Sequence, residues 1–140
     1  MIVLDTNVLS ELMRPEPAEA VVAWVSSQTA TSQYTTSITQ AEILHGILLL
    51  AAGKRRTRLL GAAESMFAED FAGRVLGFGS DAAPLYARIA ADRRRAGRPI
   101  SHFDAQIAAI ARANGAKVVT RNIADFHGCG VELIDPWKAR

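Results

Sequence analysis

Short apolar runs alternate along this chain with stretches in which the apolar residues recur at helical spacing. The first run, Ile2 to Leu4, stops at Asp5, and Val8, Leu9 and Leu12 then follow on one helical face. This pattern predicts a buried strand whose end delivers Asp5 into a turn, with a helix after it. Further short strands are predicted at residues 34–38, 74–78, 117–120 and 131–134. Helices are predicted at residues 18–27, from a Thr39 cap to Gly53, from Lys54 onward, from Ser80 to Arg95 and from Ser101 to Asn114.

The alternation of strands and helices predicts an α/β fold, specifically a three-layer α/β/α sandwich. Its central sheet should be mainly parallel with four to five strands, joined by right-handed crossovers. The length of 140 residues suits a single domain, residues 1–140. The helix that follows Thr39 is apolar nearly all the way round, so it must be buried on more than one side. A second copy of the chain is a plausible source of that second side, which predicts a homodimer.

Composition narrows the class of protein only slightly. There are 16 Lys+Arg against 14 Asp+Glu, a mild excess that does not by itself suggest nucleic acid. The single cysteine, Cys129, excludes an internal disulfide and a cysteine-rich metal site. We see no signal peptide and no apolar run long enough to cross a bilayer, and we expect a cytoplasmic location.

Four acidic residues follow predicted strand ends or open the helices next to them. Asp5 ends the first strand, Glu42 and Asp104 lie near helix starts, and Asp125 follows the fourth strand with Asn122 three residues before it. The βα topology brings these positions to one edge of the sheet, where open parallel sheets bind their ligands.

Each acid also has a structural explanation. Asp5 can cap the next helix, and Asp125 can be an exposed turn residue. Thr39 with Glu42, and Ser101 with Asp104, have the spacing of a capping box.

Several carboxylates crowded together repel one another unless a cation neutralises them. A hard divalent cation with oxygen ligands is the usual solution, so we expect Mg²⁺, with Mn²⁺ able to substitute. The three scattered histidines and the lone cysteine argue against structural zinc. Gly53-Lys54 lacks the spacing of a phosphate-binding loop, and no serine lies in a nucleophile elbow. A metal site of this kind is suited to the hydrolysis of a phosphodiester.

Clustered arginines are candidates for contacts with the phosphates of a nucleic acid, although solvated helix faces are the simpler explanation for some of them. The candidates are Arg55, Arg93, Arg94, Arg98 and Arg121. Phosphate contacts dominate nucleic-acid affinity and make it salt-dependent, so binding should weaken steeply as salt is raised.

Four motifs occur in order along the chain: Met1-Ile-Val-Leu-Asp5-Thr-Asn, Thr39-Gln-Ala-Glu42-Ile-Leu-His-Gly46, Asp104-Ala-Gln-Ile-Ala and Val119-Thr-Arg-Asn122-Ile-Ala-Asp125-Phe. With the closing Asp135-Pro136-Trp137, they resemble PIN-domain toxins of the VapC type, the FitB-like branch in particular. The resemblance implies a Mg²⁺-dependent endoribonuclease that is the toxin of a type II toxin–antitoxin pair. It also implies an RNA substrate, a homodimer and a small DNA-binding antitoxin.

The resemblance assigns the metal to Asp5, Glu42 and Asp104. Many relatives carry an acid where this chain has Asn122, whereas the nearby acid here is Asp125, so either residue can fill the fourth catalytic position. Around them, Thr6, Asn7 and Thr120 are expected to orient the carboxylates. Thr120 and Arg121 are also candidates for contacts with the scissile phosphate.

Two other functions stay open at this point. One is a metal-dependent nuclease or phosphodiesterase that acts on DNA or small phosphoesters. The other is a non-catalytic, dimeric binding module that retains the fold.

Overall fold

The fold is built on a central sheet of five short strands. The computed structural model describes residues 1–139, in which the strands are β1 (Ile2–Leu4), β2 (Gln33–Thr36), β3 (Val75–Leu76), β4 (Lys117–Val119) and β5 (Leu133–Ile134). Their spatial order is β3-β2-β1-β4-β5, and every neighbouring pair is parallel. The predicted α/β fold with a parallel sheet is confirmed.

Helices cover both faces of this sheet. They are α1 (Thr6–Leu12), α2 (Glu19–Ser27), α3 (Ser37–Leu48), α4 (Lys54–Ser65), α5 (Ala83–Arg95), α6 (His102–Ala113) and α7 (Ile123–Phe126). A 3₁₀ turn (Ala30–Ser32) precedes β2, and a π-helical turn (Met66–Asp70) continues α4. No helix within residues 1–139 is long and apolar enough to span a membrane.

Alternate residues of β1 enter two separate cores, because successive side chains of a strand point to opposite faces of the sheet. Val3 packs into a core with α5, α6 and α7 that contains Ile107 and Phe126. Ile2 and Leu4 pack into the other core, with α1, α2, α3 and α4. The sheet is therefore buried on both faces, which explains the continuous apolar run of β1.

The boundary between β2 and α3 differs from the prediction. β2 ends at Thr36, and α3 begins at Ser37 rather than after a Thr39 cap. Thr36 has extended backbone (φ −124°, ψ 157°), and its hydroxyl accepts a hydrogen bond from the Thr39 N–H at 3.1 Å. A capping box between Thr39 and Glu42 is thus wrong, and Glu42 lies in the second turn of α3. Threonine is a favoured N-cap residue, so the sequence alone does not distinguish Thr36 from Thr39. The position at which β2 ends determines which of the two caps α3.

Two further helix boundaries differ from the prediction. α3 ends at Leu48 instead of Gly53, and Leu48 and Leu49 are exposed. The four-residue helix α7 follows β4 at a place where no helix is predicted, because it is too short to show any periodicity.

The strand order reverses between β1 and β4. β2 and β3 continue on one side of β1, whereas β4 and β5 lie on the other. The crevice outside the carboxyl ends of β1 and β4 is therefore the point at which a doubly wound sheet binds its ligands. Asp5 follows β1 at this point, and its N–H donates to the Val119 carbonyl at 2.9 Å.

Candidate active site

Asp5 follows β1 at this point of the sheet edge, and its side chain is held by three hydrogen bonds. Its side chain caps α1 by accepting from the Thr6 N–H at 2.8 Å through Oδ1. Its Oδ2 accepts from the Thr120 hydroxyl at 2.8 Å and from Asn7 Nδ2 at 3.2 Å. Asp5 is 4% exposed. The residue is thus both the helix cap and a buried carboxylate that faces the crevice.

Burial raises the pKa of Asp5 from 3.8 to about 6, with the Thr120 and Thr6 hydrogen bonds opposing the rise. The negative charges of Asp104 and Glu42 add to the rise. A carboxylate with such a pKa gains more than an exposed one from a nearby cation. Strong perturbation by burial together with named charged neighbours is typical of functional sites.

Glu42 reaches the same crevice from α3. Thr6 Oγ1 lies 3.0 Å from Glu42 Oε1 and 3.1 Å from Thr39 Oγ1. Because Thr39 can donate to Thr6, the single Thr6 hydroxyl hydrogen is free to bond Glu42, and the two hydroxyls form a chain. Partial burial raises the pKa of Glu42, and the charge of Asp104 raises it further. Thr6 therefore connects two of the three acids, through its N–H to Asp5 and through its hydroxyl to Glu42.

Asp104 comes from the first turn of α6. Its N–H donates to Ser101 Oγ at 3.1 Å, so Ser101 caps this helix as predicted. Burial raises the pKa of Asp104, and the charge of Asp125 also raises it, whereas the nearby Arg93 lowers it. Three acids from three different elements thus influence one another across the crevice.

Asn122 and Asp125 lie on the far side of the crevice, and both are exposed. The Asn122 N–H donates to Thr120 Oγ1 at 3.1 Å, which fixes its backbone beside the Asp5 carboxylate. Asp125 is close enough for its charge to act on Asp104. The two residues therefore contribute differently: Asn122 is tied to the Asp5 side, and Asp125 adds negative charge at Asp104.

The donor set fits a hard divalent cation, since it consists of carboxylate, amide and hydroxyl oxygens. Within residues 1–139, no three His, Cys, Asp or Glu side chains converge closely enough to form a ligand cage by themselves. Mg²⁺ seldom uses such a cage in phosphoryl-transfer sites; it keeps several waters and takes one or two carboxylates together with substrate phosphates. An open arrangement of mutually repelling acids suits that mode of binding.

Asn7 and Thr120 connect the Asp5 side of the crevice to the turn after β4. Asn7 Nδ2 donates to Thr120 Oγ1 at 3.2 Å, and Asn7 Oδ1 accepts from the Arg121 N–H at 3.2 Å. The Arg121 guanidinium in turn lies over the Trp137 ring at 4.9 Å. A cation held on an aromatic face loses little further side-chain entropy when it meets a phosphate.

The predicted basic residues separate into exposed and buried ones. Arg94 and Arg98 are exposed, and Arg55 lines a groove of about 580 Å³ together with Arg58 and Glu42. Arg93 is only 9% exposed, so its assignment to a phosphate-contacting surface is wrong. Its guanidinium binds backbone carbonyls instead.

One buried acid lies outside the crevice and was missed from the sequence. Glu11 on α1 accepts from the Ala18 N–H at 2.9 Å and from Arg14 at 3.2 Å. The Ala18 hydrogen bond, helped by Arg14, lowers the pKa of Glu11, the opposite of the shift at the crevice. The spacing of three residues between Glu11 and Arg14 could have predicted an ion pair on α1 from the sequence. Glu11 anchors the connection from α1 to α2.

Residues 2–127 match the PIN domain model. The chain belongs to the PIN domain family. It is 43% identical to the VapC ribonuclease Y4jK of Sinorhizobium fredii over 99% of both chains, and 39% identical to Toxin FitB of Neisseria gonorrhoeae over 98% of this chain and 99% of that one. The predicted resemblance to VapC-type toxins of the FitB-like branch is confirmed.

Solved structures agree with these relatives. The crystal structure of FitAcB from Neisseria gonorrhoeae superposes with a TM-score of 0.93 at 39% identity, over 99% of this chain and 100% of that one. VapBC-5 of Mycobacterium tuberculosis, from the VapBC family of toxin–antitoxin systems, gives a TM-score of 0.69 at 29% identity, over 94% and 95% of the two chains.

Proposed function

We propose that this protein is a Mg²⁺-dependent endoribonuclease and the toxin of a type II toxin–antitoxin system. The observation that carries the proposal is the group of Asp5, Glu42 and Asp104. They come from three elements that meet at the carboxyl edge of the sheet. The charge of Asp104 raises the pKa of both Asp5 and Glu42, and the charge of Glu42 raises that of Asp5. The names of the relatives, a VapC ribonuclease and Toxin FitB, support the choice of RNA and of a toxin.

In this proposal Asp5, Glu42 and Asp104 hold the cation, with Asp125 or Asn122 completing the far side. When bound, Mg²⁺ supplies charge that polarises the phosphodiester, makes an attacking water more acidic and stabilises the leaving oxygen. The protein's contribution is orientation. Thr120, Asn7 and the Thr6 N–H fix the Asp5 carboxylate, so that little reorganisation is needed when substrate arrives.

The RNA backbone is proposed to approach over the exposed basic residues near the crevice. Arg55 and Arg58 share a groove with Glu42, and Arg121 is held over Trp137 next to Thr120. These positions place positive charge on either side of the acids. Each phosphate contact releases counterions when RNA binds. At subsaturating substrate, the cleavage rate should therefore fall steeply as the salt concentration rises from about 50 to about 200 mM.

The activity is tested with Asp5→Asn, which keeps the shape of the side chain and removes its charge. Wild-type protein, D5N and the exposed-acid control E16Q are incubated with RNA, single-stranded DNA and a generic phosphodiester, with Mg²⁺ or EDTA. We expect Mg²⁺-dependent cleavage of RNA by wild type and E16Q, and none by D5N. Equal cleavage by D5N would defeat the site. Preference for DNA or the small diester would identify another phosphodiesterase.

A protein that cleaves none of the three substrates and does not bind Mn²⁺ in calorimetry would be a non-catalytic PIN-fold binding module. Expression in cells adds an independent test of the toxin role. Wild type should arrest growth, and D5N produced at the same level should not.

The homodimer is proposed to form through the end of α3. Ile43 and Ile47 are buried in the core, but Leu48, the last residue of α3, and Leu49, which follows it, are 47% and 73% exposed. Two large apolar side chains exposed side by side at a helix end are suited to cover by another chain. L49E should convert a dimer to a monomer in light scattering, whereas L49M should remain dimeric. A dimeric L49E would place the interface elsewhere.

A cognate antitoxin is proposed because VapBC-5 belongs to the VapBC family of toxin–antitoxin systems. The family resemblance implies that this partner is a small DNA-binding protein. Co-expression with a candidate from a short adjoining reading frame should suppress growth arrest and yield a stable complex. Suppression by unrelated antitoxins to the same degree would argue against a cognate pair.

A further inference from the structure

Arg93 is a buried cation outside the group of acids at the sheet edge. It lies in the last turn of α5 and is 9% exposed. A buried charge is stable only where hydrogen bonds and charges compensate its lost hydration. None of the ion pairs found within residues 1–139 involves Arg93. Its hydrogen bonds go to backbone carbonyls, and the charge of Asp104 is near enough for Arg93 to lower the pKa of that acid.

Those carbonyls belong to two separate segments. Arg93 Nε donates to the Arg98 carbonyl at 2.7 Å, in the loop that leads into α6. Its Nη1 donates to the carbonyls of Asp125 at 2.8 Å and His127 at 2.9 Å, at the end of α7. The same nitrogen lies 3.6 Å from the sulfur of buried Cys129. One guanidinium thus joins the end of α5 to the loop before α6 and to the C-terminal end of α7.

Both segments adjoin acids of the crevice. The first ends at Ser101, whose side chain caps α6 and so sets the first helical turn, which contains Asp104. The second is the C-terminal end of α7, which contains Asp125, and the Asp125 carbonyl itself accepts from Arg93. The planar guanidinium forms these bonds in a fixed fork, which a lysine ammonium cannot reproduce. Asp5 and Glu42, by contrast, are held by Thr6, Thr120 and Asn7 on the other side of the crevice.

We propose that Arg93 is the positioning residue for the far half of the metal site, setting Asp104 and Asp125 relative to each other. This inference rests on the proposed function, since it concerns the same site. Arg93 itself contacts neither RNA nor the cation. It acts by holding the loop before α6 and the end of α7 in place through its hydrogen bonds to their carbonyls.

The test compares R93K and R93M with R88K and R88M. Arg88 is an exposed arginine on the same helix, so its variants control for changes to α5. The first readout is the Mn²⁺ dissociation constant from calorimetry. Loss of an outer partner of a metal ligand typically weakens metal binding 10- to 100-fold, so both Arg93 variants should bind Mn²⁺ about tenfold more weakly. The second readout is hydrogen exchange, which should accelerate in residues 98–104 and 122–130 only.

R93K separates positioning from charge, because it keeps the positive charge and removes the fork. If R93K binds Mn²⁺ within twofold of wild type, Arg93 acts through charge alone and the proposal is overturned. Lower melting temperatures with unchanged Mn²⁺ affinity would reduce Arg93 to a purely structural residue and would also overturn it. If R93M does not fold, as judged by circular dichroism, R93K decides the question.

Failure of the proposed function gives a different result. Wild-type protein would then neither cleave RNA nor bind Mn²⁺, while hydrogen exchange would still report whether Arg93 holds the two segments together. Weaker Mn²⁺ binding by R93K, with wild-type behaviour of R88K, supports the proposal.

Discussion

Raising the pH should destabilise the metal-free protein, because Asp5 ionises less readily in the folded chain than in the unfolded one. Burial, with help from the charges of Asp104 and Glu42, raises its folded pKa from 3.8 to about 6. The folded state therefore holds the Asp5 proton more tightly. The resulting stabilisation is fully present below pH 3.8 and is lost as the pH rises through about 6.

The size of the effect follows from the two pKa values. A rise from 3.8 to about 6 corresponds to roughly 3 kcal/mol of stability over the whole range. Between pH 5 and pH 8 about 1.4 kcal/mol of this is lost, because at pH 5 Asp5 is mostly protonated when folded and mostly ionised when unfolded. The raised pKa values of Glu42 and Asp104 act in the same direction.

The assay is urea denaturation in EDTA at pH 5 and pH 8, followed by tryptophan fluorescence. With a urea slope of about 2 kcal/mol/M, the midpoint of wild type should fall by about 0.7 M or more. D5N lacks the ionising group, so its midpoint should fall by about 0.7 M less. The exposed-acid control E16Q should behave as wild type. If D5N and wild type lose the same stability between the two pH values, the argument about Asp5 is wrong.

Three further predictions follow from the same contacts. Mg²⁺ at millimolar concentration should reverse the pH trend, because metal binds the ionised acids; a melting temperature that still falls from pH 5 to pH 8 would contradict this. T6V removes the hydroxyl that bonds Glu42, so calorimetry should show about tenfold weaker Mn²⁺ binding, with exposed T57V unchanged. E11Q should lower the free energy of unfolding, because it weakens the acceptor of the Ala18 N–H, yet leave RNA cleavage by the folded protein intact. Loss of cleavage in folded E11Q would place Glu11 in the site.

The positions of Asp5 and Asp104 could be predicted from the sequence, because the signals that place them lie within a few residues. The run from Ile2 to Leu4 stops abruptly at Asp5, and the strand that this predicts is the one observed. Ser101 lies three residues before Asp104, and it caps α6 as the spacing indicates. The wrong helix start at Thr39 shows the limit of this approach. Thr36 and Thr39 have equal propensity to cap, and only pairing with β1 and β3 fixes where β2 ends.

The role of Arg93 could not be predicted in this way. It lies four residues after buried Ile89 on α5, so helical spacing places both on one face. An arginine at such a position usually extends its charge to solvent. Its burial depends on carbonyls of Asp125 and His127, more than 30 residues further along the chain, whose arrangement is a property of the assembled fold.

The bond between Thr120 and Asp5 spans 115 residues. β1 is a central strand, and it pairs with β4 at residues 117–119. During synthesis at about 5–20 residues per second, the chain that carries Asp5 is therefore made several seconds before the residues that orient it. A ribosome-bound chain therefore has no assembled Asp5 site until Thr120 has left the exit tunnel. On the proposed function, cleavage cannot begin before nearly the whole chain has been translated.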